Sequence, residues 1–587
     1  MKTRKVSPMS RLAASLAVLI PLTLLGACAT AGPPVGQDPV TAKSDIPPPP
    51  AGASPFGLFL AGQAAFNDGD NSQASRYFGQ AANAGVDGAY IQQQAFLSSL
   101  MAGDITRAAK VAPSGDAASP IFVRLGLLTK AVEALASGDG KGSLAIFNAD
   151  GGIGYPFSGA AALLKPWAAA AAGDMKTASI SPTDGGDRIV AVFGQLGQAS
   201  LYERMRRYDE AETDYEALAT LNGAGTLFVV DYGEFLERRG RAADAVALYD
   251  KALAAHPTDE AILAARARAA AKGKPPAILT PREGAARALV AAAASLISDR
   301  QTDLATAYLR LSLRLDPQRD DTWVLLGSLM EDRKNFEAAR EAYQHVRKGS
   351  PQWVSAQTKL AWSYQSAGDK TTALKLADEA VAAAPGNRTA LINQADLYRA
   401  NERYADSVRV LDGLIAGQGA NPDWRLLYMR GVALQADNRW PDAERDLQAA
   451  LAQSPDDPEL LNFLGYSWID QGEHLDEALE MVKRAVAANP QSGAIVDSLG
   501  WAYYRLGDYS NAVAQLETAV SLDAADPEIN NHLGDAYWQV GRKIEARYQW
   551  ERVLTLQPDD KMKAQVETKL KDGLPPAQPV KARVAGN

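Results

Sequence analysis

Residues 497–519 read DSLGWAYYRLGDYSNAVAQLETA, and residues 531–553 read NHLGDAYWQVGRKIEARYQWERV, which repeats the same plan 34 positions later. Both stretches carry a Leu-Gly step followed by an aromatic residue three positions after the glycine, a second glycine seven after it and an alanine twelve after it. In the first stretch these positions are Gly500, Tyr503, Gly507 and Ala512. Repetition at a fixed period of this length indicates a stack of equivalent supersecondary units.

The same spacing continues towards the N-terminus at intervals of 34 to 36 residues. Small residues equivalent to Gly500 lie at Gly465, Gly431, Ala395, Ala361, Gly327 and Ala293, and Ala199 and Gly233 form a further pair 34 apart. This pattern resembles the tetratricopeptide repeat (TPR), in which two antiparallel helices meet where small residues let their backbones approach. The resemblance implies an all-α fold, a right-handed superhelix built from antiparallel helix pairs.

Turn and cap residues agree with paired helices. Gly507 is expected to end a helix with a positive φ. The steps Asp457-Pro458 and Asp526-Pro527 are expected to begin helices, each with an aspartate cap and a proline in the first turn.

Breaks in the pattern divide the chain. The interval from Gly233 to Ala293 is 60 residues, and the proline-rich stretch GKPPAILTP at 273–281 interrupts it. The degenerate pairs that precede the clear repeats are expected either to cap the array or to form a docking surface. The predicted segments are a lipoprotein signal peptide at 1–27, a proline-rich tether at 28–55, degenerate helix pairs at 56–185, a TPR segment at 186–272, a joint at 273–284, the main TPR array at 285–571 and a disordered tail at 572–587.

The first residues are typical of an export signal. Basic residues precede an apolar run at 12–25, and such a run rises only about 21 Å as a helix, short of a hydrocarbon core of about 30 Å. The run ends in Leu25-Gly26-Ala27-Cys28, which resembles the bacterial lipobox, and Cys28 is the only cysteine in the chain. The resemblance implies an acylated Cys28 and, with Ala29 following it, an outer-membrane protein that faces the periplasm. The alternative is an ordinary signal peptide with an incidental cysteine.

Composition argues against several classes of protein. The formal charge is −9 and becomes −13 without residues 1–27, so no basic footprint for nucleic acid is present. One cysteine excludes disulfides within the chain. The four histidines lack metal-ligand spacing, and neither a nucleophile motif nor a phosphate-binding loop is present. We therefore expect a protein that is not an enzyme and has no metal and no cofactor.

The sharpest functional hypothesis is a groove for proteins or extended peptides. In a TPR stack, three positions on the first helix of each repeat face inward, at −3, +1 and +4 from its small residue. Amides there can take a peptide backbone while rings take its side chains. The alternative is that the rings only cover neighbouring helices. The predicted groove residues are Asn462, Tyr466, Ile469, Asp497, Trp501, Tyr504, Asn531, Asp535 and Trp538.

The stretches LGYSW at 464–468, DSLGWAYYR at 497–505 and HLGDAYW at 532–538 resemble a group of large proteobacterial TPR lipoproteins. That group includes the LbcA-type adaptors of periplasmic C-terminal processing proteases. The resemblance implies a scaffold that brings such a protease to peptidoglycan hydrolases. Two alternatives stay open: an assembly factor for a pilus, secretion or polysaccharide-export machine, and an enzyme with a catalytic segment in residues 54–182.

Overall fold

The computed structural model describes residues 53–83, 89–115, 118–149, 152–182, 188–257, 259–419 and 421–576. Within these ranges the chain forms α-helices, one short 3-10 turn at Gly225–Phe228 and no strand. None of the helices so described combines the length and apolar character that crossing a bilayer requires. The predicted signal peptide, Cys28 and most of the tether lie outside the described residues, as do residues 577–587 of the predicted tail.

The described residues form two compact units, of which the first ends at Gln352 and the second begins at Trp353. Helices are numbered in chain order among the described residues. Unit 1 contains α1 (Pro55–Asn67), α2 (Asn71–Asn83), α3 (Ala89–Ala102), α4 (Ile105–Val111), α5 (Pro120–Ala136), α6 (Gly140–Asn148), α7 (Ser158–Ala172), α8 (Met175–Ala178), α9 (Arg188–Arg204), α10 (Tyr208–Ala219), α11 (Val229–Arg238), α12 (Ala242–Ala255), α13 (Glu260–Ala270), α14 (Pro281–Ser298), α15 (Thr302–Leu315), α16 (Asp320–Asp332) and α17 (Phe336–Gln344).

Unit 2 continues the alternation of first and second helices. It contains α18 (Trp353–Ser366), α19 (Lys370–Ala383), α20 (Arg388–Ala400), α21 (Tyr404–Ala416), α22 (Trp424–Ala436), α23 (Trp440–Gln453), α24 (Pro458–Gln471), α25 (Leu475–Ala488), α26 (Gly493–Leu506), α27 (Tyr509–Leu522), α28 (Pro527–Gln539), α29 (Lys543–Thr555) and α30 (Asp560–Asp572).

In unit 1, helices distant in sequence pack together. Helix α14 contacts α7 and α9, and a methyl group on Gly284 of α14 would lie 2.3 Å from the Trp167 ring of α7. Arg314 of α15 donates to Glu133 of α5 at 2.8 and 3.0 Å, and this pairing lowers the Glu133 pKa. Helices α14 and α15 therefore belong with the N-terminal helices.

The stretch at 273–280 is non-helical, and α14 begins after it with a capping box between Thr280 and Glu283. The boundary between the two compact units falls at 352–353 in the sequence. This position lies within the segment 285–571, which was expected to be one continuous array. The packing of α14 and α15 on earlier helices explains this placement. The remaining segment boundaries stay predictions.

Small residues let the paired helices of unit 2 approach closely. A methyl group on Gly500 would lie 2.5 Å from Leu516 Cγ, and one on Gly534 would lie 2.5 Å from Trp550 Nε1. Gly507 ends α26 with a φ of 86°, and Asp526 caps α28 by accepting the backbone N–H groups of Glu528 and Ile529. These features confirm the predicted helix pairs and the predicted all-α fold.

Candidate functional site

The nine predicted groove residues lie on the first helices of the last three repeats, α24, α26 and α28, which we call the first-helix face. Each helix contributes three of them, at −3, +1 and +4 from its glycine, a spacing that keeps side chains on one side of a helix. Helix α24 contacts α26 and α26 contacts α28. The three rows of residues are therefore neighbours.

Three stacked rings form the centre of this face, and we call them the ring ladder: Tyr504, Trp501 and His532. The Trp501 and Tyr504 centroids are 4.6 Å apart with planes 7° from parallel, and the Trp501 and His532 centroids are 4.0 Å apart at 17°. Such stacked aromatic pairs contribute about 0.5–1.5 kcal/mol each beyond their burial. Trp501 and Tyr504 remain partly exposed, so the ladder offers a rigid aromatic edge to solvent.

The carboxylate of Asp497 contacts His532, the buried ring of the ladder. The two oxygens of Asp497 lie 2.9 and 3.0 Å from His532 Nδ1. Burial alone would lower the His532 pKa, but Asp497 and then Glu528 outweigh it, and the pKa is raised. The pair thus favours an imidazolium whose ring orientation is fixed.

Glu528 adds negative charge beside His532. Its withdrawal from bulk water raises the pKa of its carboxyl group, Asp497 raises it further, and His532 opposes the rise. The same carboxylates act on Tyr466, whose pKa is raised by burial and then by Glu528, Asp470 and Asp497. This part of the face is therefore acidic and aromatic together.

Asn531 and Asp535 are occupied within the protein. Lys569 of α30 donates to Asn531 Oδ1 at 2.8 Å and to both Asp535 oxygens at 2.8 and 2.7 Å. Trp550 Nε1 donates to Asp535 Oδ1 at 2.9 Å. These two side chains fasten α30 to α28 instead of presenting polar groups to a ligand.

Trp538 lies against the chain that follows α30. Its indole Nε1 donates to the Leu574 carbonyl at 2.7 Å, and the neighbouring Gln539 Nε2 donates to the Pro575 carbonyl at 3.1 Å. The Lys543 ammonium lies 3.4 Å above the Trp538 ring centroid. Trp538 is partly exposed and already carries a cation on one face.

The two remaining predicted residues lie on α24. Ile469 is 2% exposed and packs in the core with Trp468 and Leu464, so it does not line an open groove. Its position at the end of α24 turns the side chain into the helix pair. The buried amide oxygen of Asn462 has no hydrogen-bond partner within the described chain.

The predicted groove residues fall into a partly exposed group and a buried group. Tyr466, Trp501, Tyr504 and Trp538 are partly exposed on the first-helix face, as the hypothesis requires. Asp497, Asn531 and Asp535 are 6–8% exposed and bonded internally, so the expected row of amides and carboxylates for a peptide backbone is largely absent. Each of these side chains is hydrogen-bonded to a residue on the next first helix: Asp497 to His532, and Asn531 and Asp535 to Lys569.

Sequence reasoning missed His532, Glu528 and Lys569. A positional signal existed, because His532 follows Asp497 by 35 residues and Lys569 follows Asp535 by 34, about one repeat in each case. Oppositely charged residues one repeat apart lie on adjacent first helices and can pair.

Comparison with known proteins agrees with the geometry of the helix pairs. A family model described as "Tetratricopeptide repeat" matches residues 196–260, 358–422 and 428–493, and one described as "TPR repeat" matches residues 500–541. The match at 500–541 contains all three residues of the ring ladder, Trp501, Tyr504 and His532.

Two curated proteins and one solved structure illustrate the similarity. TPR repeat-containing protein PA4667 from Pseudomonas aeruginosa is 30% identical over 212 residues, which are 36% of this chain and 35% of that protein. The probable UDP-N-acetylglucosamine–peptide N-acetylglucosaminyltransferase SPINDLY from Hordeum vulgare is 25% identical over 167 residues, 28% of this chain and 17% of that protein. The crystal structure of a tetratricopeptide repeat protein from Parabacteroides merdae is 16% identical, with a TM-score of 0.37, over 43% of this chain and 97% of that one.

The chain spans about a third of the length of the first curated relative and about a sixth of the second. What it shares with them is thus only part of each protein. The repeat fold is typically a non-catalytic scaffold for protein–protein interaction. The matched residues and their paired helices show that this chain contains tetratricopeptide repeats.

Proposed function

We propose that the first-helix face of α24, α26 and α28 binds an extended protein segment that carries lysine or arginine. The observation that supports the proposal is the ring ladder of Tyr504, Trp501 and His532, with the Glu528 carboxylate beside it. The apolar stem of a basic side chain can pack against the partly exposed edges of Trp501 and Tyr504 while its charged end reaches a carboxylate nearby.

The rigidity of the ladder favours binding. Trp501 is stacked on both sides, so it loses little freedom when a ligand arrives. Pre-organised rings lower the entropic cost that binding otherwise carries, about 0.5–1.5 kcal/mol for each side chain immobilised. Large aromatic residues are also the side chains that most often dominate interface energies.

We further propose that the protein acts as a lipid-anchored scaffold in the periplasm, held at the outer membrane through acylated Cys28. The lipobox-like residues 25–28 and the proline-rich residues that follow support this location. The resemblance to protease adaptors suggests that it brings a C-terminal processing protease to peptidoglycan hydrolases. An assembly factor for a pilus or secretion machine is the competing scaffold role.

A comparative pull-down tests the binding role and separates the two scaffolds. The full chain is compared with Trp501→Ala, and with Tyr548→Ala as a matched control, because Tyr548 is an aromatic residue 63% exposed on the second helix α29. The adaptor role predicts that a processing protease and a hydrolase are retained by the full chain and by Tyr548→Ala, and lost with Trp501→Ala. Retention of secretin or pilus subunits instead would contradict the adaptor role.

A further inference from the structure

The chain leaves α30 along the first-helix face. Gly573 has a φ of 73°, and a methyl group there would lie 2.2 Å from Trp538 Cζ2, so the backbone passes directly against the indole. Trp538 and Gln539 then bind the carbonyls of Leu574 and Pro575. Two successive side chains of α28 thus hold this segment by its backbone, independently of its side chains.

The second of these backbone hydrogen bonds, at Pro575, lies beside the ring ladder. The Gln539 side chain, which donates to Pro575, is also hydrogen-bonded to Tyr504, the outermost ring of the ladder. Trp501 and then His532 follow Tyr504 at centroid spacings of 4.6 and 4.0 Å. A segment continuing from Pro576 therefore starts within a few ångströms of the proposed ligand surface.

The residues that follow have the composition of the proposed ligand. Residues 577–587 read AQPVKARVAGN, with the cations Lys581 and Arg583 and no acidic residue. A fully extended chain spans at most about 3.3 Å per residue. The five residues from Pro576 to Lys581 can accordingly span about 16 Å at most, which exceeds the length of the ladder.

The charges on the face are complementary to this segment. Three of its carboxylates are already paired: Asp497 with His532, Asp535 with Lys569, and Asp470 with Arg505. Glu528 and Glu459, in the first turns of α28 and α24, add further negative charge, and Glu528 lies near His532. The excess charge is therefore negative, next to the partly exposed edges of Trp501 and Tyr504, against which the stem of a lysine or arginine can pack.

We infer that residues 577–587, through Lys581 and Arg583, occupy the ring ladder and compete there with partner segments. This inference rests on the proposed function, because it assigns the same face an internal ligand. A short tether gives its ligand an effective concentration in the millimolar range. If the free segment binds with a Kd of about 100 μM, the tethered copy weakens a competing peptide about tenfold.

The test uses the full chain and a fluorescein-labelled synthetic peptide of sequence AQPVKARVAGN, with Kd measured by fluorescence anisotropy. The full chain is compared with the double variant Lys581→Glu and Arg583→Glu, whose own segment can no longer bind. A charge-matched control carries Lys251→Glu and Lys274→Glu, which are exposed in unit 1 and lie outside the first-helix face. We expect the Lys581/Arg583 variant to bind the peptide about tenfold more tightly than both other proteins.

Two further variants separate the inference from the proposed function. Glu528→Gln in the Lys581/Arg583 background should weaken peptide binding several-fold, whereas Glu551→Gln, on the exposed side of α29, should not. Equal peptide affinity for the full chain and the Lys581/Arg583 variant, with the Glu528 effect intact, would overturn the inference and leave the proposed function standing. No binding by any variant, to this peptide or to unrelated lysine- and arginine-containing peptides, would overturn both.

Discussion

The ammonium group of Lys569 contacts both carboxylate oxygens of Asp535, at 2.8 and 2.7 Å, and so ties α30 to α28 across one repeat interval. Both side chains are largely buried, with 14% and 8% of their surface exposed. A buried pair of this kind makes losing one partner costly, because the other charge remains without compensation.

Replacing Lys569 with methionine should therefore release α30. We expect a loss of about 3 kcal/mol in the stability of the α28–α30 contact, since the Asp535 charge would stay buried with only Trp550 as a donor. Faster hydrogen exchange of the α30 amides would report the loss. Lys571→Met, at an exposed position on the same helix, serves as the control and should leave exchange unchanged. Equal protection in both variants would contradict the assigned role of Lys569.

Asn531→Ala should act through the same contact. Asn531 is 8% exposed and accepts from Lys569, so its loss should loosen α30 and leave direct ligand contacts in place. We expect hydrogen exchange of α30 to rise while the affinity for a basic peptide changes less than in Trp501→Ala. A larger loss of affinity in Asn531→Ala would mean that this amide does meet the ligand.

The His532–Asp497 pair predicts a specific dependence on pH. The folded pKa of His532 is raised above the ordinary value of 6.5, so the pair contributes stability that is fully present below pH 6.5. That contribution is lost as the pH rises through the folded pKa. The pKa of the Glu528 carboxyl is also raised, chiefly by burial.

An NMR titration of the His532 ring checks this directly, with His532→Gln to assign its signal. The midpoint should lie above 6.5, and Asp497→Asn should move it down because the opposing carboxylate is gone. A midpoint below 6.5 in the unsubstituted protein would show that burial outweighs Asp497 and Glu528.

Close approach of the paired helices is tested at Gly500. Alanine is ordinarily favoured over glycine within a helix by about 1 kcal/mol. At Gly500, however, its methyl group would meet Leu516 Cγ at 2.5 Å, and overpacking of this kind costs about 1–3 kcal/mol. Thermal unfolding should thus begin earlier in Gly500→Ala, whereas Gly386→Ala, whose new methyl group meets open space, should show no such loss. An unchanged melting curve for both would contradict the packing described.

Much of the architecture follows from local rules that the sequence displays. Gly500, Gly507 and the Asp526-Pro527 step determine where helices meet, end and begin, and each behaves as its residue type predicts. The placement of α14 beside α7 does not follow from the repeat period, because it depends on contacts between distant residues such as Gly284 and Trp167.

The same distinction between local rules and distant contacts applies to the candidate site, whose binding role stays a prediction. The −3, +1 and +4 positions identify which side of a helix a residue occupies, and Trp501 and Tyr504 lie partly exposed on that side. The same rule does not reveal whether a polar group is already satisfied. Asp497 and Asp535 find cationic partners one repeat away, so they stabilise the stack instead of facing a ligand.

The central claim is that the ring ladder binds a basic segment, and one measurement addresses it most directly. It is the Kd of a labelled lysine- and arginine-containing peptide for the Lys581→Glu, Arg583→Glu protein, with and without Trp501→Ala, at matched helicity. Because Trp501 is the middle ring of the ladder, its removal should cost about 2 kcal/mol, which is a Kd about 30-fold weaker. An unchanged Kd in the Trp501→Ala protein would contradict the account and move the binding surface elsewhere.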